Sequence, residues 1–558
     1  MGEVEETIED EEYEVLLVDE EPEDEELQDA WDDVDGRSID VKLVRAARKE
    51  EMEFVKKIPV YEEVELEECW NRMGKPPIST KWVDHDKGRG GETDVRSRWV
   101  ARDFKGKGDK DREDLFAGMP PLEAKKALFK MAAARMKGKG TRRGKKMKIM
   151  FIDVRKAHLN GVCNEEVYVE LPEEAEAPGK CGKLKRWLYG MRGAAQGWER
   201  NYTEKFEGEG LKSGKSTTAV FYNEQTETRV VVHGDDFTFL GYEDELQKIK
   251  KKMEEWYEIK LRGVLGDDPW DVKEMTILNR KVTWDGEKIV CRADDKHAKI
   301  IIEEMGLDMK SKGLSSPIVK EEDDQEEGEE LSREESKHFR RVTARANYLG
   351  QDRMDLQYAV KEISREMSRP TTKGMKKLKR LARYLVEVPE VEIVFRADGE
   401  EDWMDAYSDS DWAGCKSTRK STSGGLLCWG GCLMKSWART QASLALSVGE
   451  AEYYATVSAA AEALGFRSLM KDLGIDLKIR VWTDSSAAKS IASRTGLGKL
   501  RHLDVRILWV QKKVREHELY MKKVKGLENP ADLMTKPKDI KEGQRLANLV
   551  NVKLLKDQ

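Results

Sequence analysis

The chain has 558 residues, of which 37% are charged and 39% are hydrophobic. This length is enough for about three or four domains, and the composition allows several cores beneath a well-solvated surface. No window approaches ~18 consecutive apolar residues and no apolar signal segment opens the chain, which excludes membrane-spanning and secreted classes. The seven cysteines are scattered, and the closest pair, Cys428 and Cys432, lacks partners at zinc spacing. We expect reduced thiols in an intracellular protein, cytoplasmic or nuclear.

The net charge of -8 hides an asymmetry along the chain. Residues 1–36 contain 19 Asp and Glu and neither Lys nor Arg, so the rest of the chain is net positive. An acidic leader ahead of a basic body predicts a disordered tail beside a surface that binds polyanions. The densest basic run, residues 135–148, is interrupted by glycines and is interpreted as a loop, either solubilising or in contact with phosphates.

Changes of pattern divide the chain into segments, several of them α+β in character. The stretch 242–259 has helical spacing, with Leu246, Ile249, Met253 and Trp256 on one side. A second acidic run near residue 325 predicts a linker. The predicted segments are, in chain order, 1–36, 37–240, 241–320, 321–335, 336–400, 401–540 and 541–558.

Two adjacent carboxylates, Asp235 and Asp236, stand between apolar runs rich in Val and Phe. These runs predict a hairpin with Gly234 at or near its turn. Adjacent anions repel each other unless a cation lies between them, although an acidic pair alone is more often a solvated turn. Another apolar strand ends in Asp153, and carboxylates on neighbouring strands are what two divalent ions ~4 Å apart require for phosphoryl transfer. The three aspartates therefore predict a metal-dependent site.

Four further acids stand in the C-terminal third of the chain. Asp409 ends a predicted strand, Glu452 lies near the start of a long helix, Asp484 ends another strand and Asp532 begins a helix. Each of them alone is explained by capping or by surface exposure. Their order of strand, helix, strand and helix is what makes them candidates for a second site.

Several motifs resemble those of copia-type retrotransposon reverse transcriptases. These are "DVRKAHLNG", "EEVYVELP", "LYGMRGAAQGW" and "HGDD", with "STKWVDHDKG" and "SRWVARDFKGKG" upstream. The four C-terminal acids resemble the site of an RNase H in its copia-type form, and residues 348–370 resemble the family's connecting segment. The resemblance runs from about residue 40 to about residue 540 and is to the reverse transcriptase plus RNase H portion of the Pol polyprotein.

The resemblance implies an α+β multidomain fold. A right-hand polymerase with fingers, palm and thumb would be followed by a helical connection and an RNase H-like α/β domain. The predicted segments then become an acidic disordered tail (1–36), reverse transcriptase fingers and palm (37–240), a thumb-like region (241–320), an acidic linker (321–335), a helical connection (336–400), an RNase H-like domain (401–540) and a C-terminal tail (541–558).

The function that the resemblance implies is RNA-directed DNA polymerisation with RNase H activity. The implied partners are an RNA template, a DNA primer, the RNA–DNA hybrid and deoxynucleoside triphosphates, with no membrane. Two Mg²⁺ ions per active site are implied, with Mn²⁺ as a substitute. The implied catalytic and metal-binding residues are Asp153, Asp235, Asp236, Asp409, Glu452, Asp484 and Asp532. The implied substrate-binding residues are Arg98, Arg102, His158, Tyr189 and Gly190.

The chain departs from the family's pattern at a few positions. The family usually has Tyr-Val where this chain has His233 and Gly234, and Phe where it has His158. It usually has Gln and Pro where this chain has Gly193 and Ala195. No zinc knuckle, Asp-Ser/Thr-Gly protease signature or integrase core precedes the polymerase motifs, so we expect the 3′ part of an element's polyprotein or a reading frame that has lost the rest.

Two other functions remain open at this point. A non-catalytic relic could still bind nucleic acid through its basic body, although all seven expected carboxylates are present. An RNA-dependent RNA polymerase also has GDD as its usual form, but an appended RNase H has no use in an enzyme whose product is RNA.

Overall fold

The computed structural model describes residues 30–33, 36–88, 93–104, 115–293, 295–320, 328–498, 502 and 505–556. Residues 1–29, 34 and 35 of the predicted acidic tail and residues 321–327 of the predicted linker lie outside the described residues. No helix in the described ranges has both the length and the apolar character needed to cross a membrane. All seven cysteines are free thiols, as expected.

Helices and strands are interspersed along the described chain. The strands are β1 (Ala30–Trp31), β2 (Ser38–Ile39), β3 (Tyr61–Glu65), β4 (Thr80–Asp86), β5 (Val95–Ala101), β6 (Met147–Val154), β7 (Tyr168–Glu170), β8 (Lys180–Leu184), β9 (Lys212–Ser213), β10 (Val220–Tyr222), β11 (Arg229–His233), β12 (Asp236–Tyr242), β13 (Ile259–Leu265), β14 (Glu274–Ile277), β15 (Arg280–Trp284), β16 (Lys288–Ala293), β17 (Glu390–Arg396), β18 (Trp403–Asp411), β19 (Thr422–Trp429), β20 (Cys432–Thr440), β21 (Lys478–Thr483), β22 (Leu519–Lys523) and β23 (Val552–Leu555). The α-helices are α1 (Val41–Lys57), α2 (Leu66–Met73), α3 (Leu122–Arg135), α4 (Ala194–Gly208), α5 (Glu243–Trp256), α6 (Lys296–Glu304), α7 (Arg333–Gly350), α8 (Gln357–Ser364), α9 (Thr372–Glu387), α10 (Val448–Asp472), α11 (Ser486–Ser493), α12 (Trp509–Arg515) and α13 (Ile540–Asn548).

The described chain divides into two compact units. The first holds the described residues up to Leu115 together with His158–Trp198, and the second holds Phe116–Ala157 together with the described residues from Glu199 onward. Small sheets build the first unit, with strand orders β1-β2, β3-β8-β7 and β4-β5. In β5 the side chains of Ser97 and Trp99 are buried while Arg98 is exposed, the alternation of a strand with one face on a core.

The second unit contains a six-stranded sheet with strand order β13-β6-β12-β11-β10-β9. Strand β6 lies inside this sheet, and every residue in it except Asp153 is buried. The predicted hairpin is confirmed, because β11 and β12 pair antiparallel and leave Gly234 and Asp235 as a two-residue turn. Gly234 has φ +67°, a left-handed conformation that favours glycine. Helix α5 buries Leu246, Ile249 and Met253, as its spacing predicts, whereas the fourth residue predicted on this side, Trp256, is half-buried.

A five-stranded sheet in the same unit cuts across the predicted segments. Its strand order is β14-β15-β16-β17-β23, with antiparallel pairing throughout. One sheet therefore takes strands from the predicted thumb-like region, from the predicted helical connection and from the predicted C-terminal tail. The stretch 541–558 is not a tail where it is described, because α13 and β23 fold onto this sheet. Likewise β13, predicted within the thumb-like region, pairs with β6.

A second five-stranded sheet has strand order β20-β19-β18-β21-β22. Strands β18 to β20 are antiparallel, whereas β21 and β22 run parallel to β18. The long helix α10 packs on β18, β19 and β21. Ser447 begins it by accepting a hydrogen bond from the Glu450 backbone N–H, an N-cap that satisfies one of the free donors of the first turn.

The basic run 135–148 is partly a loop, as predicted, and partly structural. Its two ends belong to α3 and β6, and the residues between them form turns. Arg135 is buried, and Lys148 is buried against Asp271 with an Nζ–Oδ1 distance of 2.8 Å. Arg135 and Lys148 are therefore buried in the protein interior and are not part of an exposed basic loop.

Candidate active sites

The first site lies where β6 and β12 meet. Asp153 is the penultimate residue of β6, and its cross-strand partner is Asp236, the first residue of β12. Asp235 occupies the exposed turn, and its carbonyl accepts a hydrogen bond of 2.9 Å from the Val154 backbone N–H. Antiparallel pairing of a strand end with a tight turn thus collects the three predicted carboxyl groups at one edge of the sheet.

A cation already contacts this edge. Arg262 on β13 donates from Nη2 to Oδ2 of Asp153 at 2.5 Å. In the described residues, the three aspartates do not form a group whose carboxylate oxygens all lie within 4.8 Å of one another. The carboxylate of Asp153 is therefore directed to a guanidinium, while the backbone geometry that pairs it with Asp236 is in place.

Buried charge lies beneath the same edge. Lys125 on α3 is 6% exposed, and its Nζ has no hydrogen-bond partner among the described residues. Burial lowers the pKa of this ammonium to about 8, an effect that the negative charge of Asp236 opposes. Burial also raises the pKa of Asp236, and it lowers the pKa of His233 together with the charge of Lys125. The edge is thus partly withdrawn from water.

The second site lies at one end of β18 and β21. These strands run parallel, and Ser408 pairs with Thr483, so that Asp409 and Asp484 follow at the same sheet edge. Helix α10 brings Glu452 to them, because it crosses the face of both strands. Ligand oxygens of the three acids all lie within 4.8 Å of one another.

Burial makes this cluster electrostatically strained. Asp409 and Glu452 are 1% and 6% exposed, and Glu452 Oε2 has no hydrogen-bond partner among the described residues. Burial, with the neighbouring carboxylates, raises the pKa of Glu452 to about 9. Burial likewise raises the pKa of Asp409 to about 6 and raises that of Asp484. Three acids that repel one another, one with an unpartnered oxygen, fit a hard divalent cation with oxygen ligands.

The fourth predicted acid is close to the cluster but outside it. Asp532 lies in the 3-10 helix Pro530–Met534 and forms ion pairs with Lys536 and Lys538. Lys536 also lies 3.4 Å from Asp409 Oδ2, so its ammonium bridges the two aspartates. Asp532 is therefore held beside the three-acid group through a lysine.

Local sequence explains why this 3-10 helix reaches the site. Asn529 is buried, and its side chain donates to the Ser408 carbonyl at 3.0 Å. The cross-strand partner of Asp409 is Gly424, where a Cβ atom would come within 2.5 Å of the Thr535 side chain. Thr535 in turn donates a hydrogen bond to Asp409. A side chain at position 424 would push this segment away.

The predicted substrate-binding residues lie in the first unit. The guanidinium of Arg98 is 5.7 Å from the centre of the Tyr189 ring, and the His158 ring meets the same tyrosine edge-on at 5.7 Å. Gly190 has φ +80°, and a Cβ atom there would lie 2.1 Å from the Ala101 carbonyl oxygen. Four of the five predicted residues are thus brought together. The fifth, Arg102, is exposed, and its backbone N–H donates to the Ser79 carbonyl at 2.8 Å.

Several residues of these sites were not predicted from the sequence. Thr535 and Lys536 follow Asp532 by three and four residues in the motif "NPADLMTK", a spacing that brings side chains together on a helix, so a local signal was present. Arg262 and Lys125 carried no such signal, because each reaches the first site from an element distant in sequence.

Known proteins share sequence similarity with this chain. Residues 67–267 match the family described as reverse transcriptase (RNA-dependent DNA polymerase). The retrovirus-related Pol polyprotein from transposon TNT 1-94 of Nicotiana tabacum is 27% identical over 511 residues, 88% of this chain and 36% of that protein. The retrovirus-related Pol polyprotein from transposon RE1 of Arabidopsis thaliana is 25% identical over 418 residues, 72% of this chain and 27% of that protein. Over most of its length the chain is similar to copia-type retrotransposon Pol polyproteins.

The chain spans 36% and 27% of the lengths of these two Pol polyproteins, so it corresponds to a part of each. The first carboxylate site lies inside the matched range 67–267, and the second lies beyond it. Among solved structures, one that is similar is the foamy viral protease-reverse transcriptase in complex with RNA/DNA hybrid. The match covers 88% of this chain and 54% of the chain in that structure. Its TM-score of 0.46 at 10% identity is too low to support a residue-level correspondence.

Proposed function

We propose that this chain is an RNA-directed DNA polymerase with RNase H activity, which copies retrotransposon RNA into DNA and degrades the RNA of the hybrid. The observation that carries the proposal is the match of residues 67–267 to the reverse transcriptase family, because that range contains Asp153 and its cross-strand partner Asp236. The buried three-acid group at Asp409 supports the nuclease half.

In this proposal the six-stranded sheet is the palm of a right-hand polymerase and the first unit contributes its fingers. The mixed sheet that carries Asp409, with α10 on its face, is the RNase H-like domain. The helices α7 to α9 form the connection, and the sheet that ends in β23 joins the thumb-like region to it. The proposed partners are an RNA template, a DNA primer, their hybrid and deoxynucleoside triphosphates.

Each carboxylate set would hold two Mg²⁺ ions, with Mn²⁺ as a substitute, and these would stabilise developing negative charge and activate a hydroxyl or a water. Asp153, Asp235 and Asp236 would hold the first pair. The second pair would be held by a larger set: Asp409, Glu452, Asp484 and Asp532. The fit rests on the donor chemistry, since carboxylate oxygens suit hard cations and both sets already attract a lysine or arginine.

The polymerase step is attack of the primer 3′-hydroxyl on the α-phosphate of the incoming nucleotide, with pyrophosphate leaving. Arg98 would neutralise the β- and γ-phosphates, and its contact with Tyr189 supports a fixed position for the guanidinium. His158 would lie against the sugar, held edge-on by the same tyrosine. In the nuclease step, water attacks an RNA phosphodiester and the 3′ oxygen leaves.

The test is extension of a labelled DNA primer on an RNA template in Mg²⁺, with cleavage of the labelled RNA followed in the same reaction. We expect deoxynucleotides to be incorporated and the RNA of the hybrid to be cut. Binding of the hybrid without extension would favour a catalytically inactive relic. Incorporation of ribonucleotides in preference to deoxynucleotides would instead favour an RNA-dependent RNA polymerase.

A further inference from the structure

Arg262 enters the first carboxylate site through an irregularity in the sheet. Strand β13 pairs with β6, but its register shifts between Leu261, opposite Ile152, and Gly263, opposite Phe151. Arg262 is therefore the extra residue of a β-bulge. Bulges re-aim side chains and are over-represented beside active sites. Here the extra residue directs its guanidinium to the carboxylate of Asp153.

The carboxylate of Asp153 consequently has two competing uses. As a metal ligand it must offer its oxygens to a divalent ion, whereas Arg262 already holds Oδ2. The side chains of Asp153 and Arg262 are 20% and 46% exposed, so solvent screens the pair and a doubly charged ion can displace the guanidinium. The guanidinium of Arg262 thus occupies an oxygen of the carboxylate that the proposed function assigns to a metal ion.

We infer that Arg262 competes with the divalent ion for Asp153 and thereby raises the ion concentration at which the first carboxylate site fills. The inference rests on the proposed polymerase function, because it takes Asp153 to be a metal ligand. Arg262 is then a counter-ion that neutralises the carboxylate of Asp153 until a divalent ion displaces it.

The chain offers a matched control at the same end of β6. Arg155 follows Asp153 by two residues, is similarly exposed, and forms an ion pair of 2.9 Å with Glu258. No described contact joins Arg155 to the three aspartates. Substitution of Arg155 therefore removes one positive charge from the same region without releasing the carboxylate of Asp153.

The experiment measures Mn²⁺ binding to the full chain by electron paramagnetic resonance of the free ion. Every sample carries Asp409→Asn and Asp484→Asn, so that the second site does not contribute. Arg262→Gln is expected to tighten Mn²⁺ binding about fivefold, which corresponds to ~1 kcal/mol for a partly exposed ion pair. Arg262→Lys keeps the charge and is expected to stay within about twofold of the parent. Arg155→Gln is expected to leave the affinity unchanged.

The possible results separate the inference from the function on which it rests. Equal Mn²⁺ affinities for the Arg262→Gln and Arg155→Gln chains would overturn the competition and leave the polymerase site intact. Loss of binding on further substitution Asp235→Asn would show that the ion measured belongs to this site, as the inference requires. Binding that persists unchanged after Asp235→Asn would overturn both the inference and the metal role of the site.

Discussion

Asp153 on β6 is the direct cross-strand partner of Asp236 on β12. Like charges opposite each other destabilise a sheet. Burial and the neighbouring aspartates raise the pKa of Asp236, which shows that the charged form of this side chain is disfavoured in the folded chain. We therefore expect Asp236→Asn to increase the free energy of unfolding of the metal-free chain by about 0.5 kcal/mol. Urea denaturation in the presence of a chelator measures this, and a decrease in stability would contradict it. The same variant should lose primer extension.

The two proposed activities should be separable. Asp235→Asn is expected to reduce primer extension by ~10³-fold or more while hybrid cleavage persists, because the two carboxylate sets lie in different sheets. Asp484→Asn is expected to do the reverse. Both activities are assayed on one labelled hybrid, with circular dichroism as a check on folding. Loss of both activities in either folded variant would refute the two-site arrangement.

Arg98 is expected to contact the triphosphate. Arg98→Ala should raise the apparent nucleotide KM by about tenfold, since it removes a cation that assists phosphate binding, and should change primer-template affinity little. Arg96→Ala is the matched control, because Arg96 lies on the same strand and is likewise exposed but forms an ion pair with Asp94. Steady-state kinetics compare the two variants, and an equal nucleotide KM in both would show that Arg98 does not contact the triphosphate.

His158 is expected to be a steric gate against ribonucleotides. A filter of this kind works by collision with the wrong substrate, so a smaller side chain should weaken it and a larger ring should strengthen it. His158→Ala should lower the ratio of kcat/KM for deoxynucleotide over ribonucleotide, whereas His158→Phe should raise it. Single-nucleotide incorporation assays give this ratio for the three proteins. An unchanged ratio in the alanine variant would assign the imidazole to packing against Tyr189.

The second carboxylate site should make stability depend on pH. Burial, reinforced by Asp409 and Asp484, raises the pKa of Glu452 from 4.5 to about 9, so the folded chain binds more protons than the unfolded chain between these values. Its free energy of unfolding must therefore fall as pH rises through that window. Glu452→Gln should flatten this dependence in a chelator-treated sample. Urea denaturation at several pH values measures this. If the free energy of unfolding of the variant depends equally steeply on pH, Glu452 is not the group responsible.

Local patterns were enough to predict the hairpin around Gly234 and the strand that carries Asp153 near its end. Both depend on alternating apolar side chains and on turn residues that act within a few positions. The places of the four C-terminal acids could be predicted for the same reason, because two of them lie at strand ends and two near helix starts. That Lys536 also contacts Asp409 could not be predicted, since this contact depends on where the 3-10 helix packs.

Pairings between distant strands escaped prediction. The sheet that joins β16, β17 and β23 unites three predicted segments, and no local pattern records which strand edge another strand will meet. The β-bulge at Arg262 escaped for a related reason. A single extra residue changes the direction of a side chain only after a partner strand has set the register.

Strand β23 also constrains the order in which the chain can fold. Its partner β17 is made far earlier in the chain, so joining the two closes a large loop, which is slow compared with forming local hairpins. Until Val552–Leu555 has left the ribosome, one edge of β17 is unpaired, and an open edge is a template for pairing with other chains. Nascent chains, and chains shortened before Val552, are therefore expected to aggregate through β17, whereas a chain that includes Val552–Leu555 covers that edge with its own strand.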